Sequence, residues 1–292
     1  MRYMAFLRRF VSGFSVLVVV TVVFLATTAN DRSFQIEAET LGAAITFQGD
    51  QNTWNFPRSI LCLPRAIPDL RQVTAEAADR DTACSAAFFE VVERTDLSIH
   101  WHHSDEVAVS VDGEGRLEIE IRRRQETDVP ERAFLVIPAD IWGRQGALTF
   151  VGSARIGGDM ATGARDYLRA GRWDVRQTGI ANSLFRDVTE VVKRGDFTLG
   201  SSVQVLKAGM PATLFGNITP SAEQGMRLVA LSERGEVELQ VAYFGVGTPV
   251  ILRPDWIDRI VSSSVLIALI GVMTFASSIF QIFMFARSGR NL

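Results

Sequence analysis

All three histidines of the chain fall within four residues, in Ile99-His100-Trp101-His102-His103-Ser104-Asp105-Glu106. On an extended strand, His100 and His102 share one face. Two imidazoles at that spacing can bind one metal ion, and Glu106 can add an oxygen ligand, with Asp105 a second candidate. The chemistry this implies is a divalent-metal site at His100, His102 and Glu106. The plainer reading is a polar strand end with Trp101 buried on the opposite face. A third is a pH-sensing role, because histidine is the side chain that titrates nearest neutrality.

The chain has two cysteines, Cys62 and Cys84. They are not at metal-ligand spacing. An even count outside the cytoplasm predicts a disulfide. Its loop of about 22 residues would stabilise the fold by roughly 3 kcal/mol in the chain-entropy model. No Gly-x-Ser-x-Gly elbow occurs, so that class of hydrolase is unsupported. Gly157, Gly158 and Gly163 do not form a phosphate-cradling pattern between a strand and a helix. Glu118 and Glu120 alternate along a strand and are read as its solvated face. Trp54, Trp101, Trp142 and Trp173 would suit a core or a glycan-binding face. No complete catalytic motif is present, so no catalytic residue is assigned.

The spacing His100-x-His102-x3-Glu106-x6-Gly113 resembles the first metal-binding motif of the cupin β-barrels. That resemblance covers about 45 residues and implies iron, manganese or zinc on two histidines and a glutamate. The chain departs from the pattern twice. Arg94 stands where a glycine is expected. The second cupin motif should bring another histidine, and Gly143 stands there instead.

The elements that would position these residues read as mainly β. Residues 33–40 alternate with period two, and residues 43–47 start a second strand. Val107, Val109 and Val111 alternate with polar residues, Asp112-Gly113-Glu114-Gly115 turns, and Leu117, Ile119 and Ile121 alternate again. This predicts a β-hairpin with one buried face. Residues 87–92, 97–101, 133–137 and 147–154 are further strands. Residues 50–87 read as an irregular loop pinned by the disulfide, with a helical patch at 70–78. Short helical pieces are expected at 164–170 and 182–193, the latter with a bent strand as its alternative. Strands at 197–199, 202–206, 212–218, 226–231 and 237–244 suggest a second β block. The expected fold is a small barrel or sandwich, or two β subdomains at 30–180 and 181–255, flanked by transmembrane helices at 10–29 and 257–286.

Those helices rest on two runs without formal charge. Residues 260–286 make 27 positions, about 40 Å if helical, against a hydrocarbon core of roughly 30 Å. Residues 10–29 make 20, long enough for one span, with a cleaved signal peptide as the alternative reading. Arg2, Arg8 and Arg9 precede the first run, and Arg287 and Arg290 follow the second. The positive-inside rule puts segments 1–9 and 287–292 in the cytoplasm. The domain between is then periplasmic, in a bacterial inner membrane. It carries 25 basic against 33 acidic residues, a balance that argues against nucleic acid as a partner. Ser264, Ala268, Gly271, Thr274 and Ser278 form a stripe of small residues along the second span. Such a stripe lets another helix approach closely. The function these features imply is a non-catalytic accessory, scaffold or assembly subunit of an envelope complex. Its expected partners are the bilayer and either other membrane subunits or a second copy. No cofactor is expected unless the histidine cluster takes a metal.

Overall fold

The computed structural model describes residues 20, 31–49, 52–66, 84–126, 128–158, 166–178, 189–222, 225–244, 246, 248–255, 257–258, 261 and 264–288. In chain order the strands are β1 (Arg32–Thr40), β2 (Gly42–Phe47), β3 (Asn52–Pro64), β4 (Phe89–Trp101), β5 (Glu106–Val111), β6 (Leu117–Arg123) and β7 (Phe134–Ile137). Helix α1 (Ala139–Trp142) follows. Then come β8 (Leu148–Ile156), β9 (Leu168–Thr178), β10 (Thr189–Phe197), β11 (Ser202–Lys207), β12 (Met210–Pro211), β13 (Leu214–Ser221), β14 (Gly225–Ser232), β15 (Val237–Ala242) and β16 (Val250–Leu252). Helix α2 (Ser264–Ser288) ends the described chain.

The strands form one mainly antiparallel sheet, in the order β10-β9-β1-β14-β13-β8-β2-β5-β6-β7-β3-β4. The sheet is not closed into a barrel: β10 and β4 end its path. It branches at β8. One edge of β8 takes β2, and the other takes first β13 and then β11. From β11 the branch continues through β15 to β16. Strands of the expected second block therefore insert among those of the first, as β14 pairs β1 and β13 pairs β8. The described chain divides into two compact units, Ser33–Asp174 with Arg194–Arg253, and Met1–Arg32 with Val175–Lys193 and Pro254–Leu292.

Period-two patterning explains why these segments are strands. Phe34, Ile36 and Ala38 of β1, Ile45 and Phe47 of β2, Val107 and Val109 of β5, and Ile119 and Ile121 of β6 are all buried. Each fully buried large side chain contributes about 1.5–3 kcal/mol of transfer free energy. Gly152 is required where β8 meets β2, because a Cβ there would lie 2.2 Å from the Thr46 carbonyl oxygen.

Several expectations are corrected. Residues 52–64 are a 13-residue strand, not a loop. Three features hid it: Pro57, Pro64 and a cysteine. Pro57 is tolerated at an irregularity in the ladder. The register passes from Phe56↔Leu97 to Arg58↔Thr95, skipping Pro57 and Asp96. Asp96 takes φ 52° there, a left-handed conformation that Asp adopts more easily than most residues. The strands expected at 87–92 and 97–101 are one continuous β4. The helical piece expected at 164–170 overlaps β9, which starts at Leu168. The end of the segment 182–193 is extended, as β10. The patch at 70–78 and most of the apolar run 10–29 lie outside the described residues.

Among the described residues no helix is long and apolar enough to cross a membrane. Helix α2 is 25 residues long and takes in residues 264–286 of the second apolar run. Residues 260, 262 and 263 of that run lie outside the description.

Candidate functional site

His100 sits near the end of β4, and its Nδ1 lies 2.9 Å from Thr53 Oγ1 across the β3–β4 ladder. The strand ends one residue later, so His102 does not continue the alternation. It belongs instead to the turn between β4 and β5. Its Nε2 is 3.6 Å from Glu126 Oε1, and its Nδ1 is 3.9 Å from Asp105 Oδ2. Glu106 opens β5 and lies 3.9 Å from Arg122. His103 is exposed in the turn. The three residues expected to bind metal thus face three different partners. Among the described residues, no group of three His, Cys, Asp or Glu side chains is gathered as metal ligands would be.

The turn is organised by Asp105, which is fully buried. Its carboxylate accepts hydrogen bonds from the backbone N–H groups of His102 at 2.8 Å and Gln125 at 3.1 Å. Ser104 takes φ 71° and donates its N–H to the Phe47 carbonyl. Sequence reasoning placed Asp105 beside the histidines as a spare ligand. The structure shows it holding the backbone of two segments together.

Behind the turn lies an aromatic corner. Trp101 stacks on Phe47 with centroids 5.0 Å apart, and Trp54 meets both edge-on. The Trp54 Nε1 donates to the Thr149 carbonyl at 2.8 Å. Arg124 lies over the Trp101 ring at 5.3 Å, a cation–π contact. Its side chain is wholly buried, and Nη2 lies 2.9 Å from both Glu126 and Asp128. Opposite charges so placed lower the cost of burying a guanidinium. Trp54, Trp101, Trp142 and Trp173 are all buried, so these four do not form an exposed glycan platform.

A second feature lies on the outer face of the β5–β6 hairpin. A cleft of about 590 Å³ is lined by Ala108, Ser110, Glu118, Glu120, Arg122 and Asp166, among others. Small residues make its floor, and charged side chains stand around it. Gly42 is needed beside it, since a Cβ there would meet Asp166 Cβ at 2.2 Å. Arg122 pairs with Glu120 at 3.1 Å, and Arg116 pairs with Asp112 at 2.7 Å. Burial, then the nearby Asp112 charge, holds the Glu118 carboxyl above its usual range, with Arg116 opposing.

Cys62 and Cys84 lie at disulfide distance, with Cα atoms 6.3 Å apart. The pair ties the end of β3 to the segment preceding β4.

The third feature is the edge at which the chain joins and leaves the sheet. Phe34, near the start of β1, donates its N–H to Ser232 Oγ at 2.9 Å. Ser232 ends β14. Four residues separate it from β15, and β16 runs back along β15 with Leu239 opposite Leu252. Arg253, just past β16, lies 3.2 Å from Glu238. The start of β1 and the end of β16 therefore flank the same turn, residues 233–236. At that turn Glu233 accepts from Lys207 at 2.6 Å and from the Thr213 N–H at 3.2 Å. The Lys207 hydrogen bond holds the Glu233 carboxyl below its usual range, and burial opposes it. Sequence reasoning missed this convergence, because it depends on which strands pair.

On α2, Thr274 Oγ1 donates to the Ile270 carbonyl at 2.8 Å and Ser278 Oγ to the Thr274 carbonyl at 2.9 Å. The hydroxyls of the small-residue stripe thus bond back to their own helix, as Ser and Thr do in apolar surroundings. Ala268, Gly271, Thr274 and Ser278 are exposed. The side chain of Ser264 lies outside the description.

No family model, curated protein or solved structure matches the chain.

Proposed function

We propose that the chain is a membrane-anchored accessory or scaffold subunit. Its antiparallel β domain is displayed on the periplasmic side of a bacterial inner membrane, within a larger envelope assembly. The observation that carries this reading is the convergence of both ends of the sheet on the turn 233–236. A domain held by two anchors must send both connections towards one bilayer surface, and this one sends them from one edge. The start of β1 is preceded by the uncharged run 10–29, and β16 is followed by the uncharged run 260–286.

Helix α2 supports the reading. Ile267, Ile270, Val272, Phe275, Ile279 and Ile282 are all exposed, and at about 100° per residue they spread over more than half of the helix circumference. A helix apolar on most sides needs lipid or another helix around it. The exposed stripe Ala268, Gly271, Thr274 and Ser278 suits close approach of a second helix. The β domain adds a rigid sheet with structurally committed polar clusters, which suits a scaffold.

The test is a mild-detergent pull-down of the full chain tagged at its C-terminus, with metal content and intact mass read on the same sample. Co-purifying membrane subunits are the expected result. A protein that runs alone and captures no partner by crosslinking in cells contradicts it. One metal ion per chain, lost on His100→Ala, would move the assignment to His100, His102 and Glu106. The mass also shows whether residues 1–29 are retained.

A further inference from the structure

The edge of the sheet around the turn 233–236 carries more than two chain connections. Strand β11 ends there, with Lys207 opposite Val237. Beyond Lys207 the chain reverses through Ala208 and Gly209, at φ 51° and 79°, the left-handed pair that makes a tight two-residue hairpin turn. Met210 follows, opposite Lys207, and is 68 % exposed. An exposed apolar side chain therefore stands at the tip of this edge. Arg234 is exposed beside it. Glu233 and Glu238 are matched by Lys207 and Arg253.

Chain length fixes how far this edge can stand from a bilayer. Only Asn30 and Asp31 separate the uncharged run ending at Ala29 from β1. Three peptide steps reach at most about 11 Å. The headgroup layer of one leaflet is itself roughly 5–8 Å thick. The second connection, from Arg253 to residue 260, reaches at most about 25 Å and imposes no conflict.

We infer that this edge, with Met210 at its tip, rests on the lipid headgroup layer as a membrane contact. The inference rests on the anchored reading proposed above. A flexible thioether inserts where the interface turns apolar, and an arginine reaches the phosphates with its stem along the apolar boundary. The recognised partner is the lipid surface itself. A seated edge would restrict tilting of the β domain and present its remaining faces in a fixed orientation.

The test uses the full chain with Met210→Cys, labelled with an environment-sensitive fluorophore. The protein is reconstituted into phosphatidylcholine vesicles containing phosphatidylglycerol and a headgroup-depth nitroxide lipid. Arg234→Cys provides a second position on the same edge. Ser221→Cys, seven residues along β13 from Leu214 and about 23 Å away, reports from the other end of that strand. The expected result is blue-shifted emission at 210 and 234, quenched about twofold or more by the nitroxide, with the label at 221 unaffected. Equal emission at all three positions in protein that floats with the vesicles overturns the membrane contact alone. Protein that fails to float overturns the anchored reading and the contact with it.

Discussion

Asp105 and Glu118 are carboxylates at the two ends of one hairpin, and the fold treats them in opposite ways. Asp105, just before β5, is fully buried and accepts two backbone N–H groups, from His102 and Gln125. Glu118, on β6, is half-buried at the wall of a cleft, where burial and the Asp112 charge raise its carboxyl pKa. The first carboxylate supplies an acceptor where the backbone has none, and so holds a turn. The second bears the cost of partial desolvation without comparable compensation. Burial alone therefore says little about whether an acid stabilises a fold; the donors within reach decide it.

Asp105 carries the larger expected effect. Asp105→Ala removes the fully buried acceptor of the His102 and Gln125 N–H groups, and about 2–4 kcal/mol of stability should be lost. Chemical denaturation checks this. An Asp105→Ala variant within about 1 kcal/mol of the parent would show that the turn does not depend on the side chain. Reduction of the Cys62–Cys84 pair should cost roughly 3 kcal/mol if the unfolded chain is freed by it. That loss should appear as a lower thermal midpoint in reductant, and should be absent from a Cys62→Ser, Cys84→Ser variant.

Glu118→Gln should act in the other direction. A carboxyl whose pKa is raised in the folded state penalises the fold while it is charged, and the penalty is relieved as pH falls through its folded pKa. The substitution should stabilise the protein at neutral pH by up to about 1 kcal/mol, allowing for solvent screening of a half-exposed group. Its advantage should vanish in acid. Glu233 has the opposite sign. Its lowered pKa contributes stability above its unfolded value, lost as pH falls through the folded value. Glu233→Gln should therefore cost roughly 0.5 kcal/mol at neutral pH and nothing in acid. Parallel pH–stability curves for the two variants would contradict both assignments.

The β5–β6 hairpin was legible in the sequence because alternation and turn chemistry agree there. Val111 pairs Leu117 around the expected turn. Strand β3 was not legible, because two prolines and a cysteine mark loops in isolation, while the long partner β4 keeps its register across the unpaired step at Pro57 and Asp96. The division into two β blocks followed the order of strands along the chain. Pairing is set by which apolar faces meet, and β13 and β14 meet β8 and β1. The histidine cluster was found as a cluster, yet its geometry hinged on where β4 stops. Ending at Trp101 sends His100 towards Thr53 and His102 towards Asp105 and Glu126. The burial of Arg124 over Trp101 left no local signal, since a basic run at a strand end reads as solvated until the long-range contact is known.

The proposal to test most directly is that the β domain is held to a membrane from one edge. Membranes from cells making the full chain should be washed with alkaline carbonate, and spheroplasts of the same cells treated with added protease. The protein should stay with the washed membranes, and the β domain should be digested in intact spheroplasts. Release into the carbonate supernatant, or a β domain protected until the spheroplasts are lysed, would contradict the account.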